Sequence, residues 1–287
     1  MKKLVNCMYR RPDALFRLIC FPWGGGGSVY FAKWGKDFPH LIEVSAIRLA
    51  GRESRSHEPF ATDMAGLVEE IVNTLLPTLR EKPFTFFGHS FGSMLAFMTA
   101  LHLMENHQLQ PVHLFLSGAF PPHSRARERL PKSTDLTEDQ FVQFLLDAGG
   151  TPEEVLDNKE CLEQFIPILR ADAALFEEIG FAKPAAPLLS CNITCFDGIE
   201  DIPHDLEGKV AGDSNRHRSL ATSPLRAPRM GPIQSRESHP SVNLCDQSRV
   251  LTERLPCADC TERRGGFRAA ESRDTFPAPN EPCPLSI

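Results

Sequence analysis

The chain has 287 residues, of which 41% are apolar and 24% are charged, and these values are ordinary for a soluble globular protein. Its net charge of −6 argues against nucleic acid as a partner, because phosphate binding needs a basic surface. No apolar run reaches membrane-spanning length, so no membrane insertion is expected. Nine cysteines without regular spacing do not resemble a secreted disulfide framework, and we expect a reduced, cytosolic protein.

The composition of the chain changes near residue 210. Residues 1–210 contain both tryptophans, both tyrosines, all nine lysines and eighteen of the twenty phenylalanines. Residues 211–287 contain no Lys, Trp or Tyr, but eleven arginines, nine prolines and nine serines. Such a segment buries too little apolar surface to offset its conformational entropy, and its apolar residues show no period. The composition therefore predicts disorder in this part of the chain.

This change divides the chain into a folded domain at 1–207 and a disordered tail at 208–287. Gly208-Lys209 can be encoded by nucleotides that contain a splice-donor consensus. One hypothesis is therefore intron read-through or a frameshift beyond about Glu207. The alternative is a genuine tail rich in proline and serine. Sequencing the transcript across the junction decides between them, and a splice from Glu207 directly into an ordinary coding exon would exclude read-through.

Short apolar runs alternate with helical patterns in the first part of the chain, which is typical of a mostly parallel sheet. The predicted strands are Phe16–Phe21, Ile42–Leu49, Phe84–Phe87, Val112–Leu116 and Leu188–Phe196. Helical spacing predicts one helix from Met64 to Leu79, capped by Thr62 or Asp63, and a second helix covers Ser90–Met104.

Strand signals stop between about residues 121 and 187. Thr137–Gln140 and Thr151–Glu154 both have the pattern of a capping box, which predicts two helices. A helical insertion in a sheet of this kind is a natural lid over a substrate channel. Its apolar residues are predicted either to pack the helices together or to contact a substrate chain; they include Phe141, Phe144, Leu145, Phe165, Ile168 and Leu169.

The strongest chemical signal is Gly88-His89-Ser90-Phe91-Gly92, a G-x-S-x-G pattern. A predicted strand precedes it and a predicted helix follows directly, and this arrangement is the nucleophile elbow. The glycines leave room for a sharp turn that exposes the serine hydroxyl at the positive end of the helix. Ser90 is therefore the predicted nucleophile, and the competing interpretation is a simple strand-to-helix turn.

An oxyanion hole requires backbone N–H groups that point at the charge formed during acyl transfer. Phe91 follows the nucleophile directly, and its N–H supplies one donor in this architecture. The second donor is predicted in Phe21–Ser28, a loop with four glycines after the first predicted strand. Gly24 is the residue chosen there, because glycine allows close backbone approach. A loop that is merely flexible is the alternative.

The remaining triad members follow the serine in the order acid, then histidine. Asp201, in the loop after the fifth predicted strand, is the first choice for the acid. Asp197 is the reserve. The alternative for either residue is a solvated acid in a loop. No histidine suits the role of base. His204 lies too near the acid in the same loop, and the other histidines after it, His217 and His239, lie in the unpatterned tail. No metal ion or cofactor is expected.

Four motifs in this order resemble the thioesterase II family: Phe21–Gly26, Leu49–Arg55, Gly88–Gly92 and Arg170–Asp172. The resemblance covers roughly residues 5–207. It implies an α/β-hydrolase fold with a helical lid, and hydrolysis of medium-chain fatty acyl thioesters held on the phosphopantetheine of the acyl carrier domain of fatty acid synthase. Ser90 matches the family nucleophile and Asp201 the family acid.

The sequence departs from the family pattern in two places. Ala50 stands where the family usually has proline. The Gly-Gly-His-Phe segment that carries the family's catalytic histidine has no counterpart, and the last strand and C-terminal helix are missing too. We therefore expect this chain to be nearly inactive. The alternatives are a non-catalytic module that binds the acyl carrier domain, and an oxygen-ester lipase or esterase on the same fold.

Overall fold

The computed structural model describes residues 3–124, 130–148, 159–182, 184–198 and 220–223, all within one compact unit of the chain. The strands are β1 (Val5–Asn6), β2 (Phe16–Phe21), β3 (Ile42–Ile47), β4 (Phe84–His89), β5 (His113–Ser117), β6 (Asn192–Gly198) and β7 (Leu220–Ser223). The helices are α1 (Val29–Lys33), α2 (Met64–Leu79), α3 (Phe91–His107), α4 (Glu138–Ala148) and α5 (Lys159–Glu177).

The strands form one sheet in the order β1-β3-β2-β4-β5-β6-β7. Every neighbouring pair is parallel except β1 with β3. The ends of the central strands are in register, since Phe21 pairs with Gly88 and Gly88 with Leu116. Because parallel strands finish at the same edge, the loops after β2, β4, β5 and β6 meet there, where ligands bind in open α/β sheets.

The sheet is covered on both faces, as its parallel strands require. Successive residues of β2 point to opposite sides. Ile19 and Phe21 belong to the larger core cluster, with α2 and α3. Leu18 and Cys20 belong to a second cluster on the other side, which includes Phe31 of α1. All four of these β2 side chains are buried, so the run of apolar residues in β2 reflects burial on both faces.

Most of the predicted elements are confirmed, including all five strands and both helices outside the insertion. Asp63 is the cap of α2, since its carboxylate accepts a hydrogen bond from the Gly66 N–H at 2.6 Å. The structure corrects the expectation that the sheet ends at the fifth predicted strand, because Leu220–Ser223 pairs in parallel with β6. An open edge at β6 offers backbone donors and acceptors that a short segment can satisfy without any side-chain pattern. The rest of the predicted tail lies outside the described residues.

The helical insertion between β5 and β6 contains α4 and α5. The capping box at its first helix is confirmed, because the Gln140 N–H donates to Thr137 Oγ1 at 3.3 Å and the Thr137 N–H donates to Gln140 Oε1 at 2.9 Å. The second predicted capping box, at 151–154, lies outside the described residues. Arg170 of α5 ties the helices together by donating to the carbonyls of Leu136 and Thr137, each at 3.0 Å.

No helix in the described part of the chain is long and apolar enough to cross a membrane.

Candidate active site

Ser90 occupies a sharp turn between the end of β4 and the start of α3. Its backbone has φ 52° and ψ −119°, a region that residues other than glycine rarely adopt. The Ser90 side chain is exposed, and its N–H donates to the Ser117 carbonyl of the neighbouring strand at 2.8 Å. A strained conformation persists only where its surroundings enforce it, and such positions concentrate at functional sites. The turn has the backbone form that the sequence predicts for a nucleophile elbow.

Close backbone contacts explain both glycines of the G-x-S-x-G pattern. A Cβ added at Gly88 would lie 2.3 Å from the Gly92 carbonyl oxygen, so β4 and the first turn of α3 leave no room for one. A Cβ added at Gly92 would lie 2.1 Å from the Phe21 carbonyl oxygen at the end of β2. The obstacles are backbone atoms, which cannot rotate away as a side chain can. The helix and two strands therefore meet at the closest approach that a backbone permits.

Ser93, one turn into α3, supplies a polar brace behind the elbow. Its buried hydroxyl lies 2.8 Å from the Gly88 carbonyl oxygen and 2.9 Å from that of Ser117. The same hydroxyl accepts a hydrogen bond from the Ser117 N–H at 3.0 Å. This small network satisfies buried backbone groups on β4 and β5 at the point where the elbow leaves the sheet.

His89, the residue before Ser90, lies beside the turn. Its Nδ1 is 3.1 Å from the Ser117 hydroxyl, and its ring meets the Trp23 ring edge to face at 6.3 Å. These contacts hold the imidazole against β5 and the glycine loop. They agree with the interpretation of His89 as part of the elbow.

The glycine loop, residues 22–28, lies directly against the elbow. A Cβ added at Gly24 would be 3.7 Å from the Phe91 Cβ, so the two predicted oxyanion residues are neighbours. The Gly25 N–H donates to the Asp172 carboxylate at 2.8 Å, and the Gly26 N–H donates to the Trp23 carbonyl at 2.9 Å. The Gly24 N–H has no hydrogen-bond partner among the described residues. Gly24 is thus the glycine of this loop that combines a free N–H with contact to Phe91.

A buried ion pair joins the glycine loop, the Leu49–Arg55 motif and helix α5. The Arg52 guanidinium bonds both oxygens of Asp172, at 2.7 Å each, and both side chains are almost fully buried. Arg52 also donates to the Gly26 carbonyl at 3.2 Å. Motif resemblance alone marked these residues in the sequence. Their pairing was not predicted, because 120 positions separate them.

Glu53 holds the far end of the same loop. It accepts hydrogen bonds from the Ser28 hydroxyl at 2.5 Å and from the Val29 N–H at 3.1 Å. Its charge is balanced by Arg48, whose Nε is 2.6 Å from the carboxylate. Glu53 has a positive φ of 50°, which is uncommon for a glutamate. Sequence reasoning did not single out Glu53 as a functional residue.

Several apolar residues of the insertion serve packing. Phe165 is buried against the glycine loop, since a Cβ added at Gly25 would lie 2.4 Å from its ring. Leu169 belongs to the same small cluster. Phe141 is buried beneath the Arg170 guanidinium, which lies 4.4 Å from its ring centre. These contacts support the packing alternative for Phe141 and Phe165.

The predicted acid and the histidines after it lie outside the described residues; they are Asp201, His204, His217 and His239. The backbone of Asp197, the reserve acid, lies in β6, next to Thr222 of β7. Within the described ranges, no side chain hydrogen-bonds to the Ser90 hydroxyl, and no group of three or more Asp, Glu, His or Cys residues is placed to hold a metal ion.

Comparisons with known proteins agree with this geometry. A thioesterase domain model matches residues 16–227. The medium-chain S-acyl fatty acid synthase thioesterase of Rattus norvegicus is 51% identical over 207 residues, covering 72% of this chain and 79% of the relative. The Homo sapiens protein of the same name is 50% identical over 206 residues, covering 72% and 78%. The crystal structure of human thioesterase 2 is similar with a TM-score of 0.54 and 40% identity, covering 73% of this chain and 87% of that one. The chain therefore belongs to the thioesterase domain family, with an α/β-hydrolase fold.

Proposed function

We propose that this chain has the site of a hydrolase that releases medium-chain fatty acyl groups from the acyl carrier domain of fatty acid synthase, in the cytosol. The observation that carries the proposal is the elbow, in which an exposed Ser90 with positive φ directly precedes α3, whose first residue, Phe91, lies against Gly24. The substrate class comes from the names of the rat and human relatives. We also propose that this particular chain hydrolyses its thioester substrate very slowly.

In the proposed reaction, the Ser90 hydroxyl attacks the thioester carbonyl and gives its proton to a general base. The carbonyl oxygen becomes an anion that the N–H groups of Phe91 and Gly24 stabilise. The intermediate collapses, the pantetheine thiol leaves with a proton, and an acyl-enzyme remains on Ser90. Water then attacks the acyl-enzyme by the same steps and releases the fatty acid. Asp201, or Asp197 in its place, orients the base.

The general base is the group of this reaction for which the sequence of this chain offers no candidate. A serine hydroxyl is a weak nucleophile until a neighbouring group takes its proton. The histidines that follow the proposed acid in the sequence lie in an unpatterned segment, and this part of the proposal depends on that sequence pattern. By analogy with other serine hydrolases, loss of the base lowers kcat by roughly 10⁶. The oxyanion donors and binding surfaces leave a small residual rate.

The test is decanoyl-CoA hydrolysis by the purified full chain, with a Ser90→Ala variant as the background. A chimera in which the C-terminal segment of the rat relative replaces residues 208–287 supplies a histidine on an otherwise identical site. We expect the chimera to exceed the unchanged chain by roughly 10⁶ in kcat. Turnover by the unchanged chain within about tenfold of the rat relative would refute the claim of low activity.

The same proteins test the two alternatives. Labelling with a fluorophosphonate probe reports whether any group activates Ser90 in the unchanged chain. Binding to the acyl carrier domain without labelling or turnover would favour a non-catalytic module. A chimera that hydrolyses 4-nitrophenyl decanoate much faster than decanoyl-CoA would favour an oxygen-ester esterase.

A further inference from the structure

The proposed reaction gives no role to the carboxylate of Asp172 on α5, which is buried. It lies beside the glycine loop, and its side chain is 3% exposed. Burial of a carboxylate is costly unless every lone pair is satisfied, so its partners show what it holds in place. Those partners are the Gly25 N–H and the Arg52 guanidinium.

Helix α5 presents a continuous face to this loop. Phe165, Leu169 and Asp172 are spaced by four and then three residues, so they lie on one side of the helix. A Cβ added at Gly25 would meet Phe165 and Leu169, and one added at Gly24 would meet Leu169 and Asp172. The glycine loop therefore rests on α5 through two apolar contacts and one charged hydrogen bond.

The bond from Asp172 acts on the residue next to the proposed oxyanion donor. Gly25 has φ +76°, which glycine adopts without strain, and its N–H donates to Asp172 Oδ2 at 2.8 Å. The peptide between Gly24 and Gly25 is planar, so fixing the Gly25 N–H also fixes the plane that ends at the Gly24 Cα. A hydrogen bond to an ionised acceptor is roughly twice as strong as a neutral one.

Arg52 makes this arrangement possible. Its bidentate pairing neutralises Asp172, and its contact with the Gly26 carbonyl holds the Gly26–Gly27 peptide of the same loop. Without Arg52 the buried carboxylate would have no countercharge, and the loop would lose the contact at the Gly26 carbonyl.

We propose that Asp172, neutralised by Arg52, is a positioning residue that fixes the Gly25 peptide and thereby aims the Gly24 N–H at the oxyanion. This inference rests on the proposed function, because it assigns Asp172 to the same oxyanion hole. Because Asp172 lies on α5, the position of this helix would then influence how well the oxyanion hole stabilises the transition state.

The first measurement is hydrogen exchange of the loop amides at 21–28 in the full chain, which needs no ligand. Asp172→Asn keeps an acceptor but loses the charge, and the pair Arg52→Met with Asp172→Leu removes the acceptor without leaving a lone buried charge. We expect exchange to be faster in Asp172→Asn and fastest in the double variant. Asp139→Asn, an exposed change on α4, is the matched control and should leave exchange unaltered.

The second measurement separates positioning from general structural damage. Decaneboronic acid forms an anionic tetrahedral adduct with a serine oxygen and mimics the oxyanion, whereas decanoyl-CoA reports ground-state binding. Boronate binding is measured in the chimera described above, which has a base, and there we expect both Asp172 variants to weaken the boronate roughly 10- to 100-fold. We expect the same variants of the unchanged chain to keep their decanoyl-CoA affinity within about twofold. Equal weakening of both ligands would show a merely structural role and overturn the proposal.

Ser90→Ala distinguishes failure of this inference from failure of the proposed function. If boronate binding is absent from the chimera that supplies a histidine, or persists in its Ser90→Ala variant, the proposed site itself is wrong and so is the role of Asp172. If boronate binding depends on Ser90 but neither Asp172 variant changes it, the site stands and only the positioning role is overturned. Unaltered exchange at 21–28 in the double variant would also overturn that role.

Discussion

The elbow and the glycine loop lie side by side, yet they are held in different ways. At the elbow, Gly88 and Gly92 bring backbone into contact with backbone, so the turn is fixed by steric exclusion. In the glycine loop, Asp172 binds the Gly25 N–H and Glu53 binds the far end at Ser28. The loop therefore takes its shape from charged side chains that belong to other parts of the chain.

This difference determines what each region tolerates. Steric contacts between backbones admit no larger residue, but they need no particular side chain elsewhere in the sequence. A loop held by charged side chains tolerates small shifts, but it depends on every partner being present and neutralised. The proposed nucleophile and the proposed oxyanion donor thus depend on interactions of different kinds, and substitutions can affect one more than the other.

The largest effect is expected from Gly92→Ala at the elbow. The new Cβ would lie 2.1 Å from the Phe21 carbonyl oxygen and 2.4 Å from that of Pro22, so α3 must move away from β2. We expect a loss of about 4–5 kcal/mol in the free energy of unfolding, measured by urea denaturation. Gly180→Ala is the control, because a Cβ there meets nothing within 4 Å. Equal stability of the two variants would show that the elbow is not sterically locked.

A somewhat smaller effect is expected from Arg52→Met at the glycine loop. Removing the guanidinium leaves the Asp172 carboxylate buried without its countercharge, which costs about 3–5 kcal/mol of stability. Lys3→Met breaks an exposed ion pair to Glu58, at 3.8 Å, and should cost no more than about 1 kcal/mol. Adding Asp172→Leu to Arg52→Met should recover much of the loss. If Arg52→Met alone is as stable as Lys3→Met, the glycine loop does not depend on the buried ion pair between Arg52 and Asp172.

The same difference explains what the sequence could and could not predict. The elbow was predicted in full, because strand, turn and helix are local and the five residues of the pattern are adjacent. Gly24 was chosen from a run of glycines, and the structure places it against Phe91. Asp172 was not assigned a role, because its bond to Gly25 spans 147 positions and no local pattern encodes such a contact.

At the level of the fold, periodicity predicted the strands whose residues are buried on both faces, such as β2. It missed the strands that lie at the edges of the sheet. Val5–Asn6 is two residues long, and Leu220–Ser223 lies in a segment without apolar periodicity. Short edge strands are defined by backbone pairing with a neighbour, and side-chain patterns carry little information about that pairing. The predicted acid and histidines lie beyond the described residues, so those assignments stay predictions.

The smallest effect is expected from Ser93→Ala, which tests whether the polar brace matters beside the steric lock. Loss of the hydroxyl leaves the buried Ser117 N–H without its acceptor, which costs about 1–3 kcal/mol in the free energy of unfolding. Ser56→Ala, at an exposed position, should change stability by less than about 0.5 kcal/mol. Because the contacts at Gly88 and Gly92 are unchanged by Ser93→Ala, the elbow should keep its shape. A loss as large as that of Gly92→Ala would mean that the elbow, like the glycine loop, depends on polar side-chain contacts, and the contrast between the two regions would disappear.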